Sequence, residues 1–184
     1  MPAPLPRLLR EGAPQPINRA PSPALALGFP WLTVMLGSLA PLFPLIASAP
    51  VVPPLGFLML IAWQQLRPGI FPMWAGFPLG LFDDAYSGQP VGSAALLWSL
   101  AVLVLDLVEY RVPWRNFVQN WVIAAGLILA YSLLAASLAT GGDGVRNLVV
   151  MGPQLILSVL LMPLIGRIAA LGDRLRLLPL QRLD

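Results

Sequence analysis

Apolar runs that approach the length of a membrane-spanning helix recur along most of the chain. A spanning helix needs about 20 consecutive, mainly apolar residues, and 58% of the 184 residues here are hydrophobic. Only 10% are charged, whereas soluble domains carry roughly a quarter. The sequence therefore predicts an all-α polytopic membrane protein with one membrane domain and no separate soluble domain.

The residue types that the chain lacks limit the metal sites and the catalytic reactions that it could support. It has no cysteine and no histidine, which excludes disulfides, thiolate metal sites, iron–sulfur clusters and cysteine nucleophiles. The sequence also has no P-loop, nucleophile elbow, HExxH motif or dinucleotide fingerprint. We therefore expect no enzymatic activity, no catalytic residue, no cofactor and no metal site. An intramembrane enzyme built on acids alone is a distant alternative that the spacing does not support.

Six apolar segments predict six transmembrane helices between residues 24 and 171. Seven prolines in residues 1–23 forbid a continuous helix and predict a disordered cytoplasmic tail. Residues 172–184 are expected to form a second, basic cytoplasmic tail. The six predicted helices lie approximately at 24–48, 51–67, 70–86, 91–109, 114–139 and 147–171.

The arginines predict how the chain is oriented. All eleven basic residues are arginine, and six spans place every one of them on the same side except Arg146. Because basic residues gather on the cytoplasmic side, we expect both termini in the cytoplasm. The segments Trp63–Arg67 and Trp114–Trp121 are typical of aromatic and polar belts at the membrane surface. Dispersed arginines at helix ends do not predict a nucleic-acid partner.

Two adjacent acids, Asp83 and Asp84, end an apolar segment and form the strongest functional signal in the chain. Carboxylates near lipid need a partner, a water-filled space or a position at the membrane surface. Neighbouring helical residues point about 100° apart, so we expect only one of the two acids to face inward. The predicted third helix is interrupted by Gly76, Pro78 and Gly80. Such a helix either lines a cavity or is merely kinked.

The predicted fourth helix carries small and polar residues at steps of three and four. This face should lie against other helices and not against lipid. Its acid nearest the cytoplasm, Asp106, is more simply explained by a surface salt bridge to Arg111 or Arg115 than by a proton relay. The face consists of Gly92, Ala95, Ser99, Val102 and Asp106.

The stretch from Trp63 to Ser99 resembles the MreD family, the small membrane subunit of the bacterial rod-shape (elongasome) machinery. The family pattern is Arg-Pro after the second helix, then Gly-Leu-x-x-Asp, then Gly-x-Pro-x-Gly. Here these motifs are Arg67-Pro68, Gly80 to Asp84 and Gly88 to Gly92. The chain departs from the family at Gly69, where an acid is common, and in its proline-rich N-terminal tail.

This resemblance implies a non-enzymatic scaffold subunit of the cell-elongation complex in the bacterial inner membrane. Such a subunit binds MreC, a single-span membrane protein, and helps to organise peptidoglycan synthesis and cell shape beside MreB, RodA and the elongation transpeptidase. Membrane lipid is the other expected partner. The family is also similar in fold to the substrate-binding subunits of energy-coupling-factor transporters. That similarity supplies the alternative function, a small-solute-binding subunit of a vitamin-type transporter.

Our hypothesis for the site is an outward-opening groove between the third and fourth helices that receives the MreC-like partner. A carboxylate there can accept hydrogen bonds from the partner or pair with its Arg or Lys. The alternative is that Asp83 or Asp84 caps a helix end, or the outer turn, within the subunit. The candidate partner-binding residues are Gly80, Asp83, Asp84, Gln89, Pro90, Gly92, Ala95 and Ser99.

A carrier would place its acids differently. In that reading Asp83, Asp84 or Asp106 lines a closed cavity, and aromatic and polar residues supply the contacts to the solute. One face of the sixth helix carries Asn147, Gln154 and Ser158, which should hydrogen-bond inside the bundle. The candidate solute contacts are Trp74, Tyr86, Trp98, Gln154 and Ser158.

Overall fold

The computed structural model describes residues 19–20, 23–42, 52–140, 144–176 and 181–182. The regular secondary structure of this part is helical apart from two paired two-residue strands, Arg19–Ala20 and Gln181–Arg182. Most residues of the two predicted tails lie outside these ranges, and the disorder of residues 1–23 stays a prediction. The α-helices are α1 Pro23–Ser38, α2 Leu55–Leu66, α3 Gly76–Ser87, α4 Ser93–Arg111, α5 Phe117–Thr140 and α6 Gly144–Arg176, with 3₁₀ turns at Ala40–Leu42 and Met73–Ala75.

The helices fall into a long and a short group. Among the described residues, α4, α5 and α6 contain segments that are long and apolar enough to cross a membrane. In contrast, α1 has 16 residues and α2 and α3 have 12 each. The all-α membrane fold is thus supported, and each predicted helix has a counterpart. Six membrane crossings stay a prediction. The first α-helix ends at Ser38 and is followed by the 3₁₀ turn, so its predicted continuation through residue 42 is wrong, and residues 43–48 lie outside the described ranges.

Helices α3 and α4 touch backbone to backbone. A Cβ atom added to Gly76 would lie 2.6 Å from Ser99 Cα, and one added to Gly80 would lie 2.5 Å from the Ala94 carbonyl oxygen. Only glycine permits such an approach. Pro78 lies in the first turn of α3, where its missing N–H costs nothing. The α-helix begins at Gly76 and not at residue 70 as predicted. From Gly76 it is continuous, so the predicted interruption at Pro78 and Gly80 is wrong, and its glycines are packing positions.

The contact between α1 and α2 buries a tryptophan that the sequence placed at the membrane surface. A Cβ on Gly37 would lie 2.8 Å from the Gly56 nitrogen, so these two helices also cross closely. Further along, Trp63 is fully buried and donates its indole N–H to Thr33 Oγ1 at 2.9 Å. The interfacial role predicted for Trp63 is wrong, because its side chain packs between helices.

A proline in α1 frees a carbonyl that another helix then uses. Pro30 lacks the N–H that would bond the carbonyl four residues earlier, which belongs to Ala26. Arg176, in the last turn of α6, donates its Nη1 to that carbonyl at 2.5 Å. The guanidinium also lies 5.5 Å from the centre of the Trp63 ring. The proline thus creates the acceptor that ties the end of α6 to the start of α1.

A second proline acts in the same way between α5 and α6. Pro163 leaves the Val159 carbonyl without its helical donor. Trp121 of α5 donates its indole N–H to that carbonyl at 3.0 Å. Since an unpaired backbone group is costly away from water, this bond stabilises α6 around Pro163 and its contact with α5.

The described arginines on the predicted cytoplasmic side collect at one end of the bundle. Asp173 pairs with Arg67 at 2.9 Å and with Arg176 at 2.7 Å. The pKa of Arg67, which follows α2, is raised above its ordinary value first by the hydrogen bond to Asp173 and then by their charge attraction. Arg115 pairs with Glu109 at the same end. This end, which we call the arginine end, is opposite the junction of α3 and α4.

Candidate functional site

Both acids of the pair are buried, and they face different neighbours. Asp83 is 6% exposed and Asp84 is 4% exposed. They lie near the end of α3, where Gly80 brings this helix against α4. The expectation that only one acid faces inward is wrong, because α3 has helices packed on more than one side.

Asp84 caps the first turn of α4 from outside that helix. Its Oδ2 accepts the backbone N–H of Gly92 at 2.8 Å and of Ala95 at 3.2 Å, and its Oδ1 accepts that of Ala94 at 2.9 Å. Ser93 donates its hydroxyl to Oδ1 at 3.2 Å. The first N–H groups of a helix have no internal partner, and a negative charge is favourable there. Asp84 therefore does what an ordinary N-cap side chain would do.

The turn between the two helices brings this cap into place. Gly88 ends α3 with φ of 70° and Gly92 precedes α4 with φ of 95°, the left-handed region that favours glycine. Because Gly92 has no side chain to cap α4, the carboxylate of Asp84 is the group that can. The Gly-x-Pro-x-Gly motif and the preceding acid thus form one structural unit, and the capping alternative holds for Asp84.

Asp83 belongs to a buried polar cluster that joins four helices. Ser38 lies beside it, and Tyr131 is close enough to interact with it electrostatically. Phe57 stacks on Tyr131 with ring centres 4.4 Å apart and lies 5.8 Å from the Trp98 ring. We call Ser38, Asp83, Trp98 and Tyr131 the outer polar cluster.

The outer polar cluster is not fully satisfied within the part of the chain that the structure describes. Ser38 Oγ and Trp98 Nε1 are buried without a hydrogen bond of good geometry. Tyr131 accepts one bond, from Gln89 Nε2 at 3.2 Å. Among the described residues no arginine lies within ion-pair distance of Asp83. A buried carboxylate without a cation is costly, which makes Asp83 the least satisfied acid of the pair.

The predicted partner-binding residues divide into two groups in the structure. Gly80 and Ala95 are buried between α3 and α4, and Ser99 donates its hydroxyl to the Ala95 carbonyl at 2.7 Å. In this part of the contact the predicted open groove is instead filled by α3 packing on α4. The turn that carries Gln89 and Pro90 lies at the surface, with Pro90 exposed. Whether any of the eight residues contacts a partner stays a prediction.

The candidate solute contacts of the carrier hypothesis are not brought together around the acids. Trp74 is largely exposed and packs against Trp31 with ring centres 5.6 Å apart. Ser158 donates its hydroxyl to the Gln154 carbonyl of its own helix at 2.7 Å. Only Trp98 joins Asp83 in the outer polar cluster. The side chain of Asn147 lies outside the described residues.

Asp106 has a partner that the sequence did not suggest. Gln64 donates its side-chain N–H to Asp106 Oδ1 at 2.5 Å, which links α2 to α4. Neither Arg111 nor Arg115 lies within ion-pair distance of it, and Arg115 pairs with Glu109 instead. The predicted surface salt bridge is therefore wrong. Gln64 was assigned to the interface by its position after Trp63, but it is buried.

Acidic side chains do not gather into a metal-binding group in the structure. Among the described residues, no three Asp or Glu side chains converge on one point. The expectations of no cofactor and no catalytic residue are not tested by this observation. What the site does offer is a capped helix start and one buried acid with an incomplete set of partners.

These features define a helical membrane protein with a buried acidic pair where two of its helices join. The model of one family, the rod shape-determining protein MreD, matches residues 25–166. Because this match spans most of the chain, the protein belongs to the MreD family, whose role is rod shape determination. Neither the comparison with curated proteins nor that with solved structures gave a match. The similarity in fold to transporter subunits therefore stays a prediction.

Proposed function

We propose that this chain is a non-enzymatic scaffold subunit of the bacterial cell-elongation complex that binds a MreC-like single-span protein. The observation that carries the proposal is the family match over residues 25–166. Through that partner the subunit acts beside MreB, RodA and the elongation transpeptidase to organise peptidoglycan synthesis. A protein of this kind needs surfaces for other proteins, whereas a reaction centre is not required.

The orientation that we propose puts the arginine end in the cytoplasm and the outer polar cluster near the opposite membrane surface. The support is the excess of arginine on one side, since such residues are retained in the cytoplasm. The protein is then a multi-pass inner-membrane protein with both termini inside. In that orientation the junction of α3 and α4 is reachable by the part of MreC that follows its membrane span.

The partner contact that we propose uses Asp83 directly and the other predicted residues indirectly. Asp83 has no cation of its own among the described residues, so an Arg, Lys or N–H group of the partner would complete its bonding. Asp84 and Gly80 hold the two helices that present it. Exposed apolar side chains nearby, Tyr86 and Val91, with Val91 83% exposed, would pack on the partner around that polar contact.

The test is co-purification of this chain with the MreC-like protein of the same bacterium, expressed together and solubilised in mild detergent. We expect recovery of the partner with wild-type protein and at least about tenfold weaker binding for Asp83→Asn, since breaking a buried charge-assisted contact costs more than that factor. Asp106→Asn is the matched control, because it makes the same chemical change at the bond to Gln64.

Two results would contradict the proposal in different ways. If Asp83→Asn captured the partner as well as wild type, Asp83 would not be part of the partner contact, but the scaffold function would still be supported. Failure of the wild-type subunit to bind any MreC-like protein would contradict the scaffold function itself. In that case, tight binding of a small solute by the purified subunit, or recovery of ATPase subunits, would support the alternative of a vitamin-type carrier.

A further inference from the structure

A cleft opens between the end of α2, the start of α5 and the second half of α6. Its volume is about 470 Å³, within the range of sites that hold small molecules. Along α6 it extends from Met162 to Ala170, about 12 Å at 1.5 Å per residue. It lies at the arginine end, on the far side of the bundle from the outer polar cluster. The scaffold function proposed above makes no use of it.

The walls of this cleft change from apolar to polar along its length. The deeper part is formed by Ala62, Met162 and Pro163, and both Ala62 and Met162 are buried. Towards the helix ends the lining residues are Gln65, Asn120 and Arg167. A ligand that fits this arrangement has an apolar chain at one end and a polar group at the other.

The polar end of the cleft carries positive charge and free donors. Arg167 lines it, and no Asp or Glu is among the described residues of its wall. Arg167 forms no ion pair with a described residue, whereas Arg67 and Arg115 are paired with carboxylates. Asn120 accepts a hydrogen bond from Arg115 Nε on its side-chain oxygen at 2.9 Å, so its amide N–H groups remain available as donors. This set of donors suits an anion.

The indole of Trp121 gives the cleft a fixed apolar wall. Its N–H is already used by the Val159 carbonyl, so the ring presents carbon surface to the cleft. Phe117 lies at the rim and is largely exposed. Aromatic side chains at this level are typical of the boundary between lipid tails and head groups. The cleft therefore sits where a phospholipid changes from chain to phosphate.

From this geometry we infer that the cleft is a binding site for an anionic phospholipid. The phosphate lies against the Arg167 guanidinium and the Asn120 amide, and the first part of an acyl chain follows the apolar wall towards Met162. Basic clefts between membrane helices on the cytoplasmic side are known to favour anionic lipids. The lipid would fill the gap between α5 and the end of α2, where the Gln65 side chain donates to the Asn120 backbone carbonyl at 2.9 Å.

Native mass spectrometry of the purified chain tests the site with two probes, phosphatidylglycerol and phosphatidylethanolamine. We expect wild-type protein to retain phosphatidylglycerol in preference to phosphatidylethanolamine. In Arg167→Gln this preference should be about fivefold weaker, which is the effect of one arginine near a lipid surface. Arg174→Gln is the matched control. It makes the same change of charge on an exposed side chain of α6 that does not line the cleft.

A second variant tests the shape of the cleft without changing its charge. Gly166 lines the cleft, and a Cβ added there would meet no heavy atom within 4 Å. We expect Gly166→Leu to fold as well as wild type, because it replaces glycine within a helix, and to lose retained lipid. Equal losses in Arg167→Gln and Arg174→Gln, or full retention by Gly166→Leu, would overturn the assignment.

Photo-crosslinking in native membranes identifies what occupies the cleft. A photoreactive phenylalanine analogue placed at Phe117, on the rim, should label phospholipid. Labelling of a protein segment there would contradict the lipid assignment and would make the cleft a protein-binding groove.

Discussion

The carboxylate of Asp84 accepts the backbone N–H of Ala94 at 2.9 Å across the turn that joins α3 to α4. Through this bond and the three beside it, one helix supplies the cap of the next. The bonds also fix the two helices in the register that places Gly80 against the Ala94 carbonyl. The acid that ends the Gly-Leu-x-x-Asp motif thus has a clear structural role in this chain.

Removing the Asp84 cap should destabilise the protein strongly. In Asp84→Ala, three backbone N–H groups lose their acceptor and the Ser93 hydroxyl loses one of two, so we expect the free energy of unfolding to fall by about 2 kcal/mol or more. Asp84→Asn keeps one acceptor oxygen and should lose less. Unfolding of the purified protein by SDS, followed by circular dichroism, measures both. Wild-type stability in Asp84→Ala would show that the cap contributes nothing.

The neighbouring acid should behave in the opposite way. Asp83 is buried and has no cationic partner among the described residues, so Asp83→Asn removes a charge whose burial is costly. We expect the isolated subunit to be as stable as wild type or more stable, although it binds its partner less well. The same SDS titration checks this. A loss of stability as large as that of Asp84→Ala would mean that the Asp83 charge is compensated within the chain.

The contact between α3 and α4 should tolerate no side chain at Gly80. A methyl group there would lie 2.5 Å from the Ala94 carbonyl oxygen, so we expect Gly80→Ala to cost about 1–3 kcal/mol through overpacking. Gly126→Ala is the matched control in α5, where an added Cβ meets nothing within 4 Å. The control should gain roughly 0.5–1 kcal/mol, since alanine is the better helix former. Similar effects from the two changes would contradict the close approach.

The bond from Trp121 to the Val159 carbonyl should matter only while Pro163 is present. Trp121→Phe removes the N–H donor, and we expect a cost of about 1 kcal/mol for the unpaired carbonyl. In a Pro163→Ala background the helix supplies its own donor, so the same change should cost less. A double-mutant cycle of unfolding free energies measures the coupling. A coupling energy of zero would mean that the two residues act independently.

The apolar runs and the arginines predicted the order of the helices and the collection of charge at one end. These features follow from composition and from the cost of placing arginine in lipid. The pair Asp83 and Asp84 was also identified from sequence, because acids are rare in so apolar a chain. Their separate roles were not, since capping by Asp84 depends on how the turn folds back across eleven residues to Ala95.

Partners within the bundle were the least predictable feature. Because these helices are apolar on nearly every side, periodicity does not indicate which face of α2 is buried. Trp63 and Gln64 were therefore assigned to the membrane surface, although both are buried. The contributions of Ser38 and Tyr131 to the outer polar cluster also had no signal in the sequence, since each is a weakly polar residue near or within a long apolar run.

Two prolines, Pro30 of α1 and Pro163 of α6, have a mechanical consequence for the bundle. Each exposes one carbonyl at a fixed height along its helix, and a side chain from a neighbouring helix is bonded to it: Arg176 to Ala26 and Trp121 to Val159. A slide of α6 along its axis by even one residue, about 1.5 Å, would pull both donors off their acceptors. These two bonds therefore oppose a sliding movement of α6 relative to α1 and α5.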